Sequence, residues 1–334
     1  MEARILQRDR LLQLVDELIK DYEVIAPRDE LSYGEIGSSS EVCLAEEKPV
    51  KSLKEFFFPD REVLFEYLLR GEEVKLVPLS LPDDTARVIL CARPCDAAAL
   101  PILDQVFAGD YLDPSYLQRR KSTLIISLAC QHPAKTCFCT SLGGSPAGTE
   151  GSDLLLTPLS EVYHVQVITE RGRALVEKYG QFFQESDEAW ERERALVEAE
   201  LRERVTKRVD VEGLSEALEF GSPIWETLTP QCVDCSVCTF LCPTCHCFDI
   251  QDEGDPGGGA RIRLWDSCAF REFTKMNVAQ PRPTHFRRYR QRLMHKFRYY
   301  VENFGKTLCV GCGRCIAHCP SGIDITEVLN RVRG

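Results

Sequence analysis

Two groups of four cysteines near the end of the chain have the residue type and the spacing needed to hold metal clusters. Both groups read C-x2-C-x2-C-x3-C-P, first in residues 232–243 and again in residues 309–320. Three thiolates at this spacing wrap three corners of a four-iron, four-sulfide cube, as in bacterial-type ferredoxins, and the fourth corner takes a distant cysteine. The sequence therefore predicts two [4Fe–4S] clusters.

The fourth cysteine of each run is expected to ligate the cluster of the other run, as in two-cluster ferredoxins. We therefore expect cluster one to take the thiolates of Cys232, Cys235, Cys238 and Cys319. Cluster two is expected to take those of Cys309, Cys312, Cys315 and Cys242. Proline after each fourth cysteine keeps the chain extended, and Gly311 and Gly313 are expected to let the backbone approach the inorganic sulfides.

Two other interpretations of these cysteines are weaker. Zinc sites also use C-x2-C, but in pairs and not in quartets closed by Cys-Pro. Cys238, Cys242 and Cys245 have the C-x3-C-x2-C spacing of radical S-adenosylmethionine chemistry. Because two of these cysteines already belong to a ferredoxin run, we interpret the match as a chance overlap of the two spacings.

Four cysteines of the N-terminal region are candidates for a third iron–sulfur site. The apolar pattern predicts a strand at 86–91, a helix at 96–107 and a strand at 122–128. A β-α-β unit brings the ends of its two strands together, so four thiols could converge there, those of Cys95, Cys130, Cys137 and Cys139. Free cysteines are also often small buried hydrophobic residues, and both interpretations stay open.

The remaining cysteines are expected to pack rather than to bind metal: Cys43, Cys91, Cys245, Cys247 and Cys268. The last three lie in a long insert between the ferredoxin runs, about residues 245–305, where a further metal site with His246 is the alternative. In the same insert, Trp265 is expected to screen a cluster from water, and residues 251–259 are expected to form a flexible loop.

The composition favours an anaerobic electron carrier in the cytoplasm. The chain has 334 residues, 17 cysteines and a formal net charge of -11. Residues 1–22 predict an amphipathic helix rather than a signal peptide, and no apolar run has the length of a membrane span. We therefore expect the cysteines to serve metals rather than disulfides.

A basic stretch interrupts this acidic chain between Glu272 and Glu302. Its cations are Arg282, Arg287, Arg288, Arg290, Arg292, Lys296 and Arg298. They either form a solvated helix face, or offset the charge of the clusters and help to dock an acidic partner subunit. Binding of nucleic acid is not expected from this stretch alone.

The predicted fold class is α+β, with two domains. Residues 1–225 are predicted to form an α/β domain, and residues 226–334 a bacterial-type two-[4Fe–4S] ferredoxin-like domain with a long insert. Asp96 is a candidate N-cap and Gly109 a candidate stop for the helix of the β-α-β unit. Further predictions are strands at 22–27, 154–157 and 162–169, a helix from Arg173, and an exposed charged helix over 187–208.

Motifs of nucleotide binding and of common hydrolases are missing from the sequence. It contains no G-x-G-x-x-G, G-x4-G-K-[ST], H-E-x-x-H or G-x-S-x-G. We therefore identify no catalytic residue, and the chemistry of the chain rests on its cysteines.

Several blocks, taken together, resemble one family along nearly the whole chain. They are KEFFFP at 54–59 with EVLF at 62–65, RPCD at 93–96, CFC at 137–139, CPTC at 242–245, WDSC at 265–268 and CVGCGRC at 309–315. In this order they resemble the beta subunit of soluble NAD(P)-linked [NiFe] hydrogenases (sulfhydrogenases). They also resemble the dicluster ferredoxin-type electron-transfer subunit of anaerobic sulfite reductase.

The resemblance implies an iron–sulfur electron-transfer subunit of an anaerobic multi-subunit oxidoreductase. Such a subunit relays electrons between a flavoprotein subunit that handles NAD(P)H and a catalytic or small iron–sulfur subunit, with [NiFe] hydrogenase as the favoured catalytic partner. The alternatives are the equivalent subunit of anaerobic sulfite reductase or of a heterodisulfide reductase-linked complex. An alternative of another class is a stand-alone iron–sulfur oxidoreductase that binds a flavin or a substrate.

Overall fold

The computed structural model describes residues 2–45, 47–78 and 85–333, which form two β-sheets with helices packed around them. The strands are β1 (Ala3–Gln7), β2 (Glu23–Pro27), β3 (Tyr33–Glu35), β4 (Arg61–Arg70), β5 (Glu73–Pro78), β6 (Arg87–Ala92), β7 (Thr123–Leu128), β8 (Leu154–Pro158), β9 (Val162–Val167), β10 (Phe183–Glu185), β11 (Phe248–Asp255) and β12 (Gly258–Trp265).

The α-helices of the described residues are α1 (Leu11–Asp21), α2 (Lys54–Phe57), α3 (Pro94–Ala97), α4 (Ala99–Phe107), α5 (Pro114–Ser122), α6 (Glu170–Lys178), α7 (Glu188–Arg204), α8 (Leu214–Ala217), α9 (Trp225–Leu228), α10 (Val237–Phe240), α11 (His285–Met294), α12 (Tyr300–Phe304), α13 (Arg314–Ala317) and α14 (Ile325–Arg333). A π-helical turn, His295–Tyr299, joins α11 to α12. In the described part of the chain, no helix has the length and apolar content needed to cross a membrane.

The larger sheet has eight strands in the order β10-β1-β9-β8-β7-β6-β2-β3. Its centre, from β8 to β2, is parallel. Helices cover both faces of such a sheet, which explains why the central strands are mostly apolar and are buried along nearly their whole length. The pairing of Val88 with Leu124 confirms the predicted β-α-β unit of β6, α4 and β7, and Cys91 packs into the apolar core as expected.

Three predictions for this region were wrong in detail. Residues 3–7 form β1, which pairs with β9 and β10, so the first α-helix begins only at Leu11. The helix predicted from Arg173 begins at Glu170, after the Thr169 side chain caps its N-terminus. Asp96 is not an N-cap, because it lies within α3 and its carboxylate is held by a distant arginine.

The smaller sheet has the order β11-β12-β4-β5. Its hairpin, β11 and β12, replaces the flexible loop predicted at residues 251–259. Gly258 makes the tight pairing possible, since its φ is +151° and a Cβ there would lie 2.4 Å from the Tyr67 carbonyl oxygen. Strands from both sides of residue 225 thus share this sheet, and the division at that residue stays a prediction.

The C-terminal region packs around one apolar cluster that includes Trp225, Leu293 and Leu329. Phe138, from the N-terminal region, is buried in the same cluster. The short helices α10 and α13, which follow the two ferredoxin loops, lie against each other. These contacts bring both cysteine runs and the segment around Phe138 to one place.

Candidate metal centre

The thiols predicted for cluster one line a single cavity, although they come from both ferredoxin runs: Cys232, Cys235, Cys238 and Cys319. The loop of the first run turns sharply, because Asp234 and Ser236 both have positive φ. Tyr289 and Ile325 line the same cavity and make its wall largely apolar. Burial raises the pKa of the Cys232 thiol to about 11, so its deprotonation needs a nearby cation or a metal.

The thiols predicted for cluster two line a second cavity: Cys309, Cys312, Cys315 and Cys242. Its loop repeats the geometry of the first, since Gly311 and Gly313 have positive φ at the positions equivalent to Asp234 and Ser236. Cys315 lines both cavities, which are therefore neighbours. Burial raises the pKa of the Cys309 thiol to about 11, as in the first site.

The two cavities fit iron–sulfur clusters, because each is lined by at least four soft thiol donors in a largely apolar wall. Each cavity also brings together the set of cysteines that crossed ligation requires. Within residues 2–45, 47–78 and 85–333, no three or more His, Cys, Asp or Glu side chains are arranged to hold a single metal ion. The assignment of individual ligands to each cluster stays a prediction.

One face of the basic stretch lies against these thiols. Arg288, Arg292 and Lys296 follow one another at intervals of four residues, and all three are buried. Arg292 Nη1 donates to Cys245 Sγ at 3.4 Å, and Lys296 Nζ donates to Cys242 Sγ at 3.3 Å. Burial opposes the charge of Arg292 and Lys296, but the surrounding thiols outweigh it and raise both pKa values. This face therefore offers cations to balance cluster charge, while the other cations of the stretch are half-buried or exposed.

The third predicted site is brought together in part. Three of its thiols are near neighbours: Cys130, Cys137 and Cys139. Lys48 Nζ donates to Cys137 Sγ at 3.3 Å and also interacts with Cys95. Cys95 has Cys312 of the second ferredoxin run as a close thiol neighbour. The group thus lies beside cluster two, and a cluster there stays a prediction.

Gly311 and Gly313 permit a close approach of protein backbone. A Cβ on Gly311 would lie 2.6 Å from Cα of Cys139, and one on Gly313 would lie 2.4 Å from the Thr136 carbonyl oxygen. The Phe138 N–H donates to the Gly311 carbonyl at 2.9 Å. The two glycines therefore make room for residues 136–139, and sequence reasoning, which expected contact with sulfides, missed this role.

The insert places its three cysteines beside one another. The thiols of Cys247 and Cys268 lie within hydrogen-bond reach, and Cys245 is close to Cys268. His246 instead pairs through Nδ1 with the Thr244 carbonyl at 3.1 Å. Two short sequence motifs, C-x-C and WDSC, flank the hairpin and contain these three cysteines. The sequence favours packing for them.

Trp265 covers the same part of the insert. Its ring packs on Phe58 and Phe240, and the Lys54 ammonium lies 3.8 Å from its centroid. The Trp265 Nε1 donates to the Phe58 carbonyl at 3.0 Å. The indole is thus fixed beside the buried end of Lys54.

Comparisons with known proteins agree with this geometry. A family model described as a 4Fe-4S dicluster domain matches residues 231–323, so two [4Fe–4S] clusters are the cofactors of this region. Sulfhydrogenase 2 subunit beta of Pyrococcus furiosus is 31% identical over 309 residues, which cover 90% of this chain and 88% of that protein. No solved structure matches. The resemblance seen in the sequence is confirmed, and the chain belongs to the family of sulfhydrogenase beta subunits.

Proposed function

We propose that the chain is a non-catalytic electron-transfer subunit, which relays electrons between an NAD(P)H-handling flavoprotein subunit and the catalytic or small iron–sulfur subunit of a [NiFe] hydrogenase. The observation that carries this proposal is the pair of neighbouring cavities, each lined by at least four cysteines drawn from both runs. Bound [4Fe–4S] clusters would supply reversible one-electron chemistry. The family relationship to a sulfhydrogenase beta subunit supports hydrogenase as the partner.

The residues of the chain would hold these clusters, shield them from water and shift their reduction potentials. Tyr289 and Ile325 exclude water from the first cavity, and Phe138 and Ile325 border the second. Lys296 and Arg292 place buried positive charge near the thiols of cluster two. A fixed cation favours the more negative, reduced state of a nearby cluster, so these two side chains would raise its reduction potential.

We propose Cys95, Cys130, Cys137 and Cys139 as ligands of a third cluster. Support comes from the contact of residues 136–139 with Gly311 and from Lys48, which interacts with Cys137 and Cys95. Electrons could then enter or leave cluster two through this side of the molecule.

The compartment follows from the thiol chemistry. Seventeen cysteines with no disulfide among those described need a reducing environment, which the cytoplasm provides. We therefore place the subunit in the cytoplasm.

The test is to assemble the full chain with the flavoprotein and hydrogenase subunits of its own source and to measure hydrogen evolution with two electron donors. NAD(P)H must pass its electrons through the relay, whereas a reduced viologen can reduce the catalytic subunit directly. Cys319→Ala should lower the NAD(P)H-driven rate at least tenfold and leave the viologen-driven rate near wild type. Cys43→Ser, at a half-buried cysteine away from the runs, is the control and should leave both rates unchanged.

Other outcomes would contradict the proposal. Equal loss of both rates in Cys319→Ala would assign the cysteine to assembly. NAD(P)H oxidation by the chain alone would favour a stand-alone flavin-binding oxidoreductase. Reduction of sulfite in place of protons by the assembled complex would favour the anaerobic sulfite reductase branch.

A further inference from the structure

The three cysteines of the insert form a compact buried group that the two ferredoxin runs do not use. Cys245 and Cys268 are 9% and 7% exposed, and Cys247 is half-buried. The Cys247 and Cys268 thiols are within hydrogen-bond reach of each other, and Cys245 lies near Cys268. The group borders cluster two, since Cys245 is also within reach of Cys242.

The hairpin explains why cysteines so far apart in sequence meet. Phe248 pairs with Trp265 at the open end of β11 and β12. The chain continues this pairing for one more step, as the Asp266 N–H donates to the Cys247 carbonyl at 2.9 Å. Ser267, fully buried, then accepts from the Thr239 hydroxyl at 2.8 Å and fixes the turn that leads to Cys268. The hairpin therefore holds the three cysteines next to one another.

A second, independent observation is an excess of buried positive charge around the group. Lys54, Arg292 and Lys296 are each 3% exposed or less. In the described part of the chain, the polar partners of these three side chains are carbonyls, thiols and a hydroxyl, and none is a carboxylate. Three other buried cations have carboxylate partners: Arg263, Arg288 and Arg314. A buried charge without a counter-ion is costly. Cluster two can balance Arg292 and Lys296, which face its cysteines, so the charge of Lys54 requires a further anion near the insert.

The position of Lys54 indicates that this anion lies at the insert. Lys54 comes from α2, and its Nζ donates to the Cys245 carbonyl at 3.0 Å and to the Phe240 carbonyl at 3.3 Å. The thiols nearest its ammonium are those of Cys245, Cys242 and Cys247. Arg292 and Lys296 also face the ferredoxin thiols, but Lys54 faces the insert and Cys242.

We propose that Cys245, Cys247 and Cys268 bind a further iron–sulfur cluster, distinct from the two ferredoxin clusters, with Lys54 as its own buried cation and with Arg292 and Lys296 shared with cluster two. Three thiolates hold three corners of a cube, and the fourth iron takes a ligand from outside this group. The proposal rests on the proposed electron-transfer function and extends the relay towards the hairpin.

The test is the iron and acid-labile sulfide content of the full chain, purified without oxygen, with EPR after dithionite reduction. Cys247→Ser and Cys268→Ser should each lose about four irons and four sulfides per chain relative to wild type. The EPR signals of the ferredoxin clusters should remain in both variants. Cys43→Ser should keep the wild-type content, and circular dichroism should show an unchanged fold.

Other outcomes would show whether the cluster assignment or the proposed function is wrong. Wild-type iron in Cys247→Ser, whose side chain is only half-buried, would overturn the assignment of a cluster to this group while the ferredoxin signals uphold the proposed function. Zinc that is lost in these variants while iron stays constant would also overturn it. A wild-type chain without iron and sulfide would instead overturn the proposed function itself.

Discussion

Arg314 and Asp96, which lie 218 residues apart in sequence, form a two-pronged ion pair in the interior of the protein. The arginine Nη1 and Nη2 donate to the two carboxylate oxygens at 2.6 and 2.8 Å, and both residues are 1% exposed. Arg314 also donates to the Pro49 carbonyl. Because Arg314 lies between Cys312 and Cys315, this pair fixes the loop of cluster two to the N-terminal region.

Breaking this pair should destabilise the protein strongly. Asp96→Asn leaves a buried guanidinium without its counter-charge, which costs about 3–5 kcal/mol. Loss of clusters makes unfolding irreversible, so the measurement is the half-life of the visible cluster absorbance at a fixed denaturant concentration. Asp252→Asn, at the exposed Arg261–Asp252 pair, is the control and should leave the half-life close to that of the wild type. Equal half-lives for the two variants would contradict this account.

Gly311→Ala should disrupt the contact between the loop of cluster two and residues 136–139. The new Cβ would lie 2.6 Å from the Cys139 backbone, in addition to the strain of a φ of +65°. We expect a loss of about 3 kcal/mol or more. Gly305→Ala is a matched control, because its φ is +69° with nothing within 4 Å, so only the strain of about 1–2 kcal/mol applies. The measurement is the midpoint temperature at which each variant loses its cluster absorbance. Similar midpoints would show that the positive φ alone, and not the contact with Cys139, causes the loss of stability.

Lys296→Met should make cluster two harder to reduce. The Lys296 ammonium donates to Cys242 Sγ, and its removal withdraws a positive charge that stabilises the reduced state. A single buried charge at this range is worth roughly 1–3 kcal/mol, or about 40–130 mV in the one-electron potential. Arg298→Met removes a cation from the same helical segment that pairs with Glu302 near the surface, and should shift the potential little. EPR-monitored redox titration measures both, and an upward shift in Lys296→Met would contradict the argument.

His295 should make the protein less stable in mild acid. Burial, together with His246, Lys296 and Arg282, lowers the pKa of His295 to about 3, whereas an unfolded histidine titrates near 6.5. As the pH falls below about 6.5, the unfolded chain takes up a proton that the folded chain does not. Stability therefore falls by about 1.4 kcal/mol per pH unit from this group.

The measurement for His295 is the denaturant midpoint of cluster loss at pH 7.5 and at pH 5.5. The wild type should lose more stability between these pH values than His295→Gln, which carries no titrating ring. An identical pH dependence in the two proteins would contradict this argument, because it would show that folding does not change the pKa of His295.

The sequence was informative where local spacing carries the chemistry. The two C-x2-C-x2-C-x3-C-P runs indicated both clusters, and the apolar strands around α4 indicated the parallel sheet. The hairpin β11–β12 could not be predicted in this way. Its first strand is exposed along its whole length and half of its residues are acids. Its second strand pairs with β4, which lies far away in sequence.

Long-range partners account for the other differences. Asp96 is the N-cap candidate in the sequence, but it lies within α3 and its carboxylate accepts from Arg314 of the second ferredoxin loop. Gly311 faces Cys139, which no local pattern connects to it. The grouping of Cys245, Cys247 and Cys268 depends on the hairpin, so it could not be predicted without that element.

The most direct test of the central claim is the EPR spectrum, with iron and sulfide content, of the dithionite-reduced full chain and three variants. Wild type should contain at least about eight irons, with magnetically interacting reduced clusters. Crossed ligation predicts that Cys319→Ala changes the same signals as Cys235→Ala, and different signals from Cys312→Ala. A Cys319→Ala spectrum that matches Cys312→Ala, or zinc without labile sulfide in the wild type, would contradict the account.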